Sequence, residues 1–333
     1  MNYLPVISTG ADLLLLIAVG YFLVKLKVIA FSTIAATNRF LLTLCYPLLI
    51  FRSVAKSKFN NLDFMPMIIG TCIVLGNYVL CGVVVFFVKK QKFYYFLSTA
   101  LPVCYTNYLI IGLPFFHVIW PGLDDSMVTI INLTNDIIAV PIFLILANIY
   151  QVQEHNRIHR EKNDGQVEKF SFKLLLTIIR NILQNPIMFG NIASFIWCAT
   201  GWEIPTYIMS TANLAANGVL GLCLICVGGF LSQFALVACP WPQFIFMVFM
   251  RHFSMSFVGA ISCYIFKVKP LLARQCTLVA TLPSATASFL LSHNAGTGPG
   301  ASSTMIFFST VFCVPALIAW LYCLDKLHIF VDK

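Results

Sequence analysis

Two apolar stretches of the chain combine proline with small polar residues, and such a combination can do chemistry in a nonpolar environment. In the first stretch, Thr106, Asn107 and Tyr108 lie between Pro102 and Pro114. Proline removes an amide donor from a helix and frees the carbonyl four residues earlier, and hydrocarbon penalises an unsatisfied backbone group by several kcal/mol. The stretch therefore predicts a broken helix with polar partners close to the break.

The second stretch predicts a matching break, because Pro283 is followed by Ser284, Thr286 and Ser288 at alternate positions. Half-helices that meet near the middle of a membrane direct free N–H groups and positive dipole ends at one point. Such a point suits an anion, above all a carboxylate. The alternative is that these prolines are ordinary kinks, which are frequent in membrane helices.

Ionisable residues inside apolar stretches are a second indication of function. Asp136, next to Asn135, would carry a proton or coordinate a cation, or would simply be held by hydrogen bonds. Arg251 would pair with Asp136 or attract an anion, and a purely structural ion pair is an equal alternative.

The composition excludes an ordinary soluble protein, because 59% of the 333 residues are hydrophobic and 10% are charged, against about 25% charged in soluble domains. A membrane-spanning helix needs about 20 apolar residues. The sequence predicts an all-α integral membrane protein with ten such helices, at about 5–24, 33–55, 64–88, 93–120, 126–150, 175–200, 207–231, 242–266, 270–292 and 301–324.

The two halves of the chain align with each other. Leu101 and Pro102 in stretch four match Leu282 and Pro283 in stretch nine. Because each half has an odd number of spans, the second half would enter from the opposite side, and such inverted repeats are typical of transporters. We therefore expect repeats at 1–150 and 175–326, a polar connector at 151–174, and broken helices four and nine that cross.

Basic residues are more frequent in the loops on the connector's side than on the other side. The connector would then be cytosolic and both termini extracytoplasmic. The net charge of +9 is explained by these loop clusters, so no nucleic-acid partner is expected. We predict no enzyme activity, metal or cofactor, because HExxH, a phosphate-binding loop with lysine, and GxSxG are absent from the sequence.

The segment NYLIIGLP at 107–114, the pair Leu282-Pro283 and several shorter motifs in the same order resemble those of the auxin efflux carriers, which include the plant PIN-type exporters and bacterial dicarboxylate carriers. The motif NYLIIGLP from Asn107 to Pro114 is similar to the family's N-x-x-x-x-G-[IL]-P. The other similar segments, in family order, are Asn38-Arg39-Phe40 with Pro47-Leu48-Leu49-Ile50-Phe51, Asn185-Pro186 with Trp197 and Pro205, Gly228-Gly229, and Leu282-Pro283.

The resemblance implies a scaffold of spans 1, 2, 6 and 7, a transport domain of spans 3–5 and 8–10, elevator motion and a homodimer. It also makes Asn107 the leading substrate contact. Plant exporters have proline where this chain has Thr106 and Ser288, so the substrate need not be auxin itself.

Together, these features predict a secondary carrier that exports a small organic anion, a carboxylate or an auxin-like molecule, across the plasma membrane or the endoplasmic reticulum. Asn107 would orient the carboxylate, with Thr106 and Tyr108 beside it. Amides near Pro102 and Pro283 would neutralise it, and Ser284, Thr286 and Ser288 would complete the site. The alternatives are an anion channel and a non-transporting membrane receptor or scaffold.

Overall fold

The computed structural model describes residues 3–56, 62–88, 91–161, 176, 180, 184–233 and 236–331, and these residues form helices and their connections. The one strand-like feature in this part of the chain is an isolated bridge between Thr106 and Ser284. The helices are α1 (Leu4–Lys25), α2 (Phe31–Ala55), α3 (Met65–Phe86), α4a (Lys92–Cys104), α4b (Tyr108–Ile119), α5 (Ser126–Thr134 continuing through Val140–Glu161), α6 (Pro186–Thr200), α7 (Thr206–Leu231), α8 (Trp241–Ile265), α9a (Pro270–Val279), α9b (Ala287–Ala295) and α10 (Pro299–Lys326).

Seven helices of the described residues, α1, α2, α3, α5, α7, α8 and α10, are long and apolar enough to cross a membrane. A helix satisfies its backbone groups internally, which is why apolar chains of this length fold as helices in lipid. The predicted all-α membrane class is therefore confirmed. The finer arrangement as ten inverted spans stays a prediction.

Stretches four and nine, predicted as broken helices, are interrupted in the structure. The first helical part ends at Cys104 and the next begins at Tyr108. The second interruption separates Val279 from Ala287. Most of the predicted connector and the start of stretch six, residues 162–175, 177–179 and 181–183, lie outside the described residues.

Helices α1, α2, α6 and α7 pack mainly on one another, while α3, α4, α5, α8, α9 and α10 form a second group. Glycines bring the helices of the first group into backbone contact. A Cβ on Gly228 would lie 1.9 Å from the carbonyl oxygen of Ile17, and one on Gly20 would lie 2.0 Å from that of Ile225. Close approach through glycine is a common way for membrane helices to associate.

Candidate functional site

The two interruptions meet and form a short antiparallel pair of backbone segments around Thr106 and Ser284, the crossing. The amide of Asn107 donates to the carbonyl oxygen of Pro283 at 2.8 Å, and the amide of Ala285 donates to that of Tyr105 at 2.9 Å. Tyr105 has extended backbone angles, φ −87° and ψ 100°. Each break therefore supplies the backbone partners that the other has lost, as burial in an apolar interior requires.

Asn135 extends this pair from α5. Its Nδ2 donates to the carbonyl oxygen of Thr106 at 2.7 Å, and its Oδ1 accepts from the amide of Thr106 at 3.3 Å. A side-chain amide can satisfy one donor and one acceptor at once. The side chain of Asn135 thus pairs with both backbone groups of Thr106, as a neighbouring strand would. It stabilises the crossing and is not free to bind a ligand.

Arg251 contacts the crossing from α8 and does not line the cavity beside the crossing. It is fully buried, and its guanidinium donates to Thr106 Oγ1 at 2.8 Å. It also donates to three carbonyl oxygens around the two breaks, those of Val103, Ala280 and Leu282. None of its contacts is with Asp136, so the ion pair that the sequence suggested is not formed.

Ser284 is also used within the crossing. Its hydroxyl donates to the carbonyl oxygen of Pro102, and its amide donates to Ser309 Oγ at 3.0 Å. Ser288 is fully buried on α9b, and its hydroxyl has no partner among the described residues. Neither serine lines the neighbouring cavity.

That cavity, of about 160 Å³, lies between the two helix groups. The wall from α4, α5, α9 and α10 includes Tyr105, Thr106, Asn107, Tyr108, Leu109, Ile110, Asn132, Asn135, Asp136, Ala285, Thr286, Ala287, Phe289, Leu290, Ser303 and Ile306. The facing wall from α2, α6 and α7 consists of Asn38, Leu42, Tyr46, Ile187, Val227, Phe230 and Leu231.

Two half-helices begin at the cavity. The first residues of α4b, Tyr108 and Leu109, line it, and so do Thr286 and Ala287 at the start of α9b. The first amides of a helix have no acceptor within that helix. These two ends therefore give the cavity a positive potential.

Asn107 adds a donor at the same place. Its Oδ1 caps α4b by accepting from the amide of Ile110 at 3.3 Å. Its Nδ2 has no acceptor in the part of the chain that the structure describes, and the residue lines the cavity. This N–H group and the helix ends can together hold a carboxylate.

Asp136 lies on the same wall as Asn132, whose Nδ2 donates to Asp136 Oδ2 at 3.4 Å. Asn132 is fixed in turn, because its Oδ1 accepts from Asn135 at 3.2 Å. The amide chain from Thr106 through Asn135 and Asn132 thus links the crossing to the carboxylate.

The structure brings together most of the residues predicted from the sequence. Thr106, Asn107, Tyr108, Thr286, Asn135 and Asp136 line the cavity. Pro102, Pro283, Ser284 and Arg251 lie in the crossing behind it, and Ser288 lies on α9b away from it.

Four further residues line the cavity without having been predicted from the sequence as site residues, namely Asn38, Tyr46, Tyr105 and Asn132. Their polar or aromatic side chains within apolar stretches were visible in the sequence. The sequence pattern does not indicate whether such a side chain faces a cavity, another helix or lipid.

All four π-helical turns of the described chain flank this region, and π-turns often occur at functional sites. The turns at Leu41–Cys45, Tyr108–Gly112 and Asn135–Ala139 contain cavity residues, while Met250–Ser254 contains Arg251.

A polar cluster joins the ends of α2, α4b and α5. Asp125 accepts from Lys56 Nζ at 2.9 Å and from Ser53 Oγ at 3.1 Å, and it lies 3.1 Å from His117 Nε2. Burial alone would raise the pKa of Asp125, but hydrogen bonds from His117 and Lys56 and the charges of both lower it below its ordinary value. The cluster connects the two helix groups at one end of the molecule.

Comparison with known proteins gives two matches. A family model described as "Membrane transport protein" matches residues 5–321. The chain is also 22% identical to auxin efflux carrier component 8 of Arabidopsis thaliana. The alignment of 363 residues covers 96% of this chain and 97% of that protein.

Proposed function

This chain belongs to the membrane transport protein family, that of the auxin efflux carriers, and from this premise we propose that it is a secondary carrier for a small organic carboxylate. The family consists of membrane transporters and not of enzymes, and its members work in a membrane on small-molecule substrates.

The observation that carries the proposal is the cavity at the crossing. Two helix N-termini and the free Nδ2 of Asn107 face it. An anion is stabilised at such a place because the donors are fixed in position and shielded from water. Asn107 would orient the carboxylate, while Tyr108 at the start of α4b and Thr286 beside the start of α9b would contribute backbone amides. Thr106, whose backbone groups are bonded to Asn135, would line the site beside them.

The nonpolar lining of the cavity suits the apolar or aromatic part of an organic carboxylate. Leu42, Tyr46, Ile110, Phe230 and Phe289 are among the lining residues. Pockets for organic ligands commonly combine such walls with a few placed polar groups. An auxin-like aromatic carboxylate therefore fits the proposal, and the name of the Arabidopsis relative supports testing it first.

We propose elevator motion because the cavity lies between two helix groups rather than within one. In the group of α1, α2, α6 and α7, close backbone contacts at Gly20 and Gly228 join α1 to α7, and a close contact of Gly190 with the backbone of Pro47 joins α6 to α2, which suits a rigid scaffold. The other group carries the crossing and would move with the bound anion. A homodimer through the scaffold, a cytosolic connector and extracytoplasmic termini complete the proposal.

If the anion crosses without a coupled cation, a membrane potential that is negative inside favours its export, because each negative charge gains about 2.3 kcal/mol per 100 mV on moving outward. We propose the plasma membrane or the endoplasmic reticulum as the location of the carrier, in keeping with its similarity to an efflux carrier.

The test is uptake of radiolabelled indole-3-acetate, malate and malonate by proteoliposomes containing the wild type or Asn107→Ala. We expect saturable uptake of at least one carboxylate, and a reduction of about 10-fold or more in the variant, because the charge-assisted hydrogen bond is lost. Asn213→Ala is the matched control, since Asn213 is a half-buried asparagine on α7 that does not line the cavity.

Uptake that Asn107→Ala leaves unchanged would contradict the binding site. Voltage-clamp recording tests the channel alternative, because a pore gives large unitary currents whereas a carrier saturates at low turnover. Binding without uptake would support a receptor.

A further inference from the structure

The cavity proposed to hold an anion contains a negative group of its own. Asp136 is the one lining residue with a carboxylate, and no Lys, Arg or His lines the cavity among the described residues. None of the ion pairs formed by those residues includes Asp136. Its one hydrogen bond there is the 3.4 Å contact from Asn132.

The neighbouring elements supply no compensating charge. The titratable groups that line the cavity besides Asp136 are Tyr46 from α2 and Tyr105 and Tyr108 from α4. The residues that face it from α6, α7, α9 and α10 carry no charge. From α3, Tyr78 donates to the carbonyl oxygen of Ala139 rather than to Asp136.

Arg251 on α8 is the one buried arginine or lysine among the described residues, and it donates to Thr106 and to three carbonyl oxygens of the crossing. It lies behind the backbone of the crossing and does not line the cavity. Its charge stabilises the frame of the site, and it leaves Asp136 without a direct counter-ion.

Two negative charges in one buried cavity repel each other, because the surrounding medium has a low dielectric constant. A buried carboxylate without a cation takes a proton rather than remain charged, and a second anion nearby strengthens that preference. We propose that the carrier binds its carboxylate substrate together with one proton on Asp136. This inference rests on the proposed function.

In this cycle the proton comes from water on the loading side, forms an O–H bond on the Asp136 carboxylate, and leaves to water on the other side with the anion. One negative and one positive charge cross together. Transport of a monocarboxylate is then electroneutral and is driven by the substrate and proton gradients. By linkage, the apparent affinity falls by up to about tenfold for each pH unit on the alkaline side.

The experiment uses wild-type proteoliposomes with indole-3-acetate as the probe. Internal pH is followed with a trapped dye, and the membrane potential is set with potassium and valinomycin. Flux in protein-free liposomes, where the undissociated acid diffuses alone, is subtracted. We expect uptake that acidifies the lumen, is insensitive to the imposed potential, and slows as the external pH is raised.

Asp136→Asn imitates the protonated carboxylate, because the amide is neutral and nearly the same size. We expect any transport by this variant to be independent of pH and sensitive to the potential, since one net negative charge now crosses. Asp12→Asn is the matched control, because Asp12 is exposed on α1. It should behave as the wild type.

The wild-type measurements decide the matter even if Asp136→Asn does not fold. Uptake that depends on Asn107 but follows the potential and is indifferent to pH would overturn proton coupling and leave the proposed function intact. Absence of any Asn107-dependent uptake of carboxylates would overturn the proposed function itself.

Discussion

The backbone amide of Asn107 donates to the carbonyl oxygen of Pro283 at 2.8 Å. The last residue of one helix break is thereby bonded to the proline of the other. A break in lipid is stable only when its free backbone groups find partners. Here the two breaks satisfy each other, so the chain can leave helix N-termini at a cavity without exposing unpaired groups to hydrocarbon.

Arg251 should be required for the stability of this crossing. Leucine at this position leaves three buried carbonyl oxygens, those of Val103, Ala280 and Leu282, without a donor, and each unsatisfied group costs about 1–3 kcal/mol. We expect Arg251→Leu to lower the melting temperature in detergent by roughly 5–10 °C. Arg251→Lys should fall between the two, because its single ammonium group reaches fewer acceptors.

Arg52→Leu is the control for that experiment. The Arg52 guanidinium donates to Asn217 at an exposed site on α2, so its loss should change the melting temperature by little. Equal melting temperatures for Arg251→Leu and the wild type would show that the guanidinium does not hold the crossing.

The contact between α1 and α7 should tolerate no side chain at Gly228. A Cβ there would lie 1.9 Å from the carbonyl oxygen of Ile17, so the helices must separate, at a cost of about 1–3 kcal/mol. We expect Gly228→Ala to lower the melting temperature by several degrees. In Gly218→Ala on the same helix, the new methyl group meets no atom within 4 Å, and it should be neutral or slightly stabilising.

The sequence made the crossing predictable because proline in an apolar stretch has a fixed energetic consequence. Pro102 and Pro283 at matching positions, each followed by polar residues, indicated two breaks that had to find partners. The backbone bridge between Thr106 and Ser284 is the form those partners take. The family resemblance likewise pointed to Asn107, which lines the cavity.

The direction of individual side chains was not predictable. Ser284 was expected to contact the anion, but the extended backbone of the break turns its hydroxyl to the carbonyl oxygen of Pro102. Tyr46 and Asn38 reach the cavity from a distant part of the chain, and only tertiary packing determines that. The π-helical turns have no signature in hydropathy, so the register of Asn135 and Asp136 remained unknown.

The Asp125 cluster should give stability that depends on pH. The pKa of Asp125 lies below its ordinary value of 3.8, so the ionised carboxylate stabilises the folded state above that pH, and the stability is lost as the pH falls below it. We expect the melting temperature of the wild type to drop more steeply than that of Asp125→Asn as the pH is lowered below about 4.

Asp12→Asn again serves as the control, since its exposed carboxylate on α1 should leave the steep drop in place. Parallel curves for the wild type and Asp125→Asn would show that Lys56 and His117 do not stabilise the ionised form.

The most direct measurement is a cryo-EM map of the wild type with a brominated indole-3-acetate, compared with a map of Asn107→Ala under the same conditions. The proposed binding site predicts ligand density between the starts of α4b and α9b, with the carboxylate against Asn107 Nδ2 and the bromine toward Phe230 and Phe289, and no such density in the variant. Ligand density elsewhere on the protein, or density in this cavity that the variant retains unchanged, would contradict it.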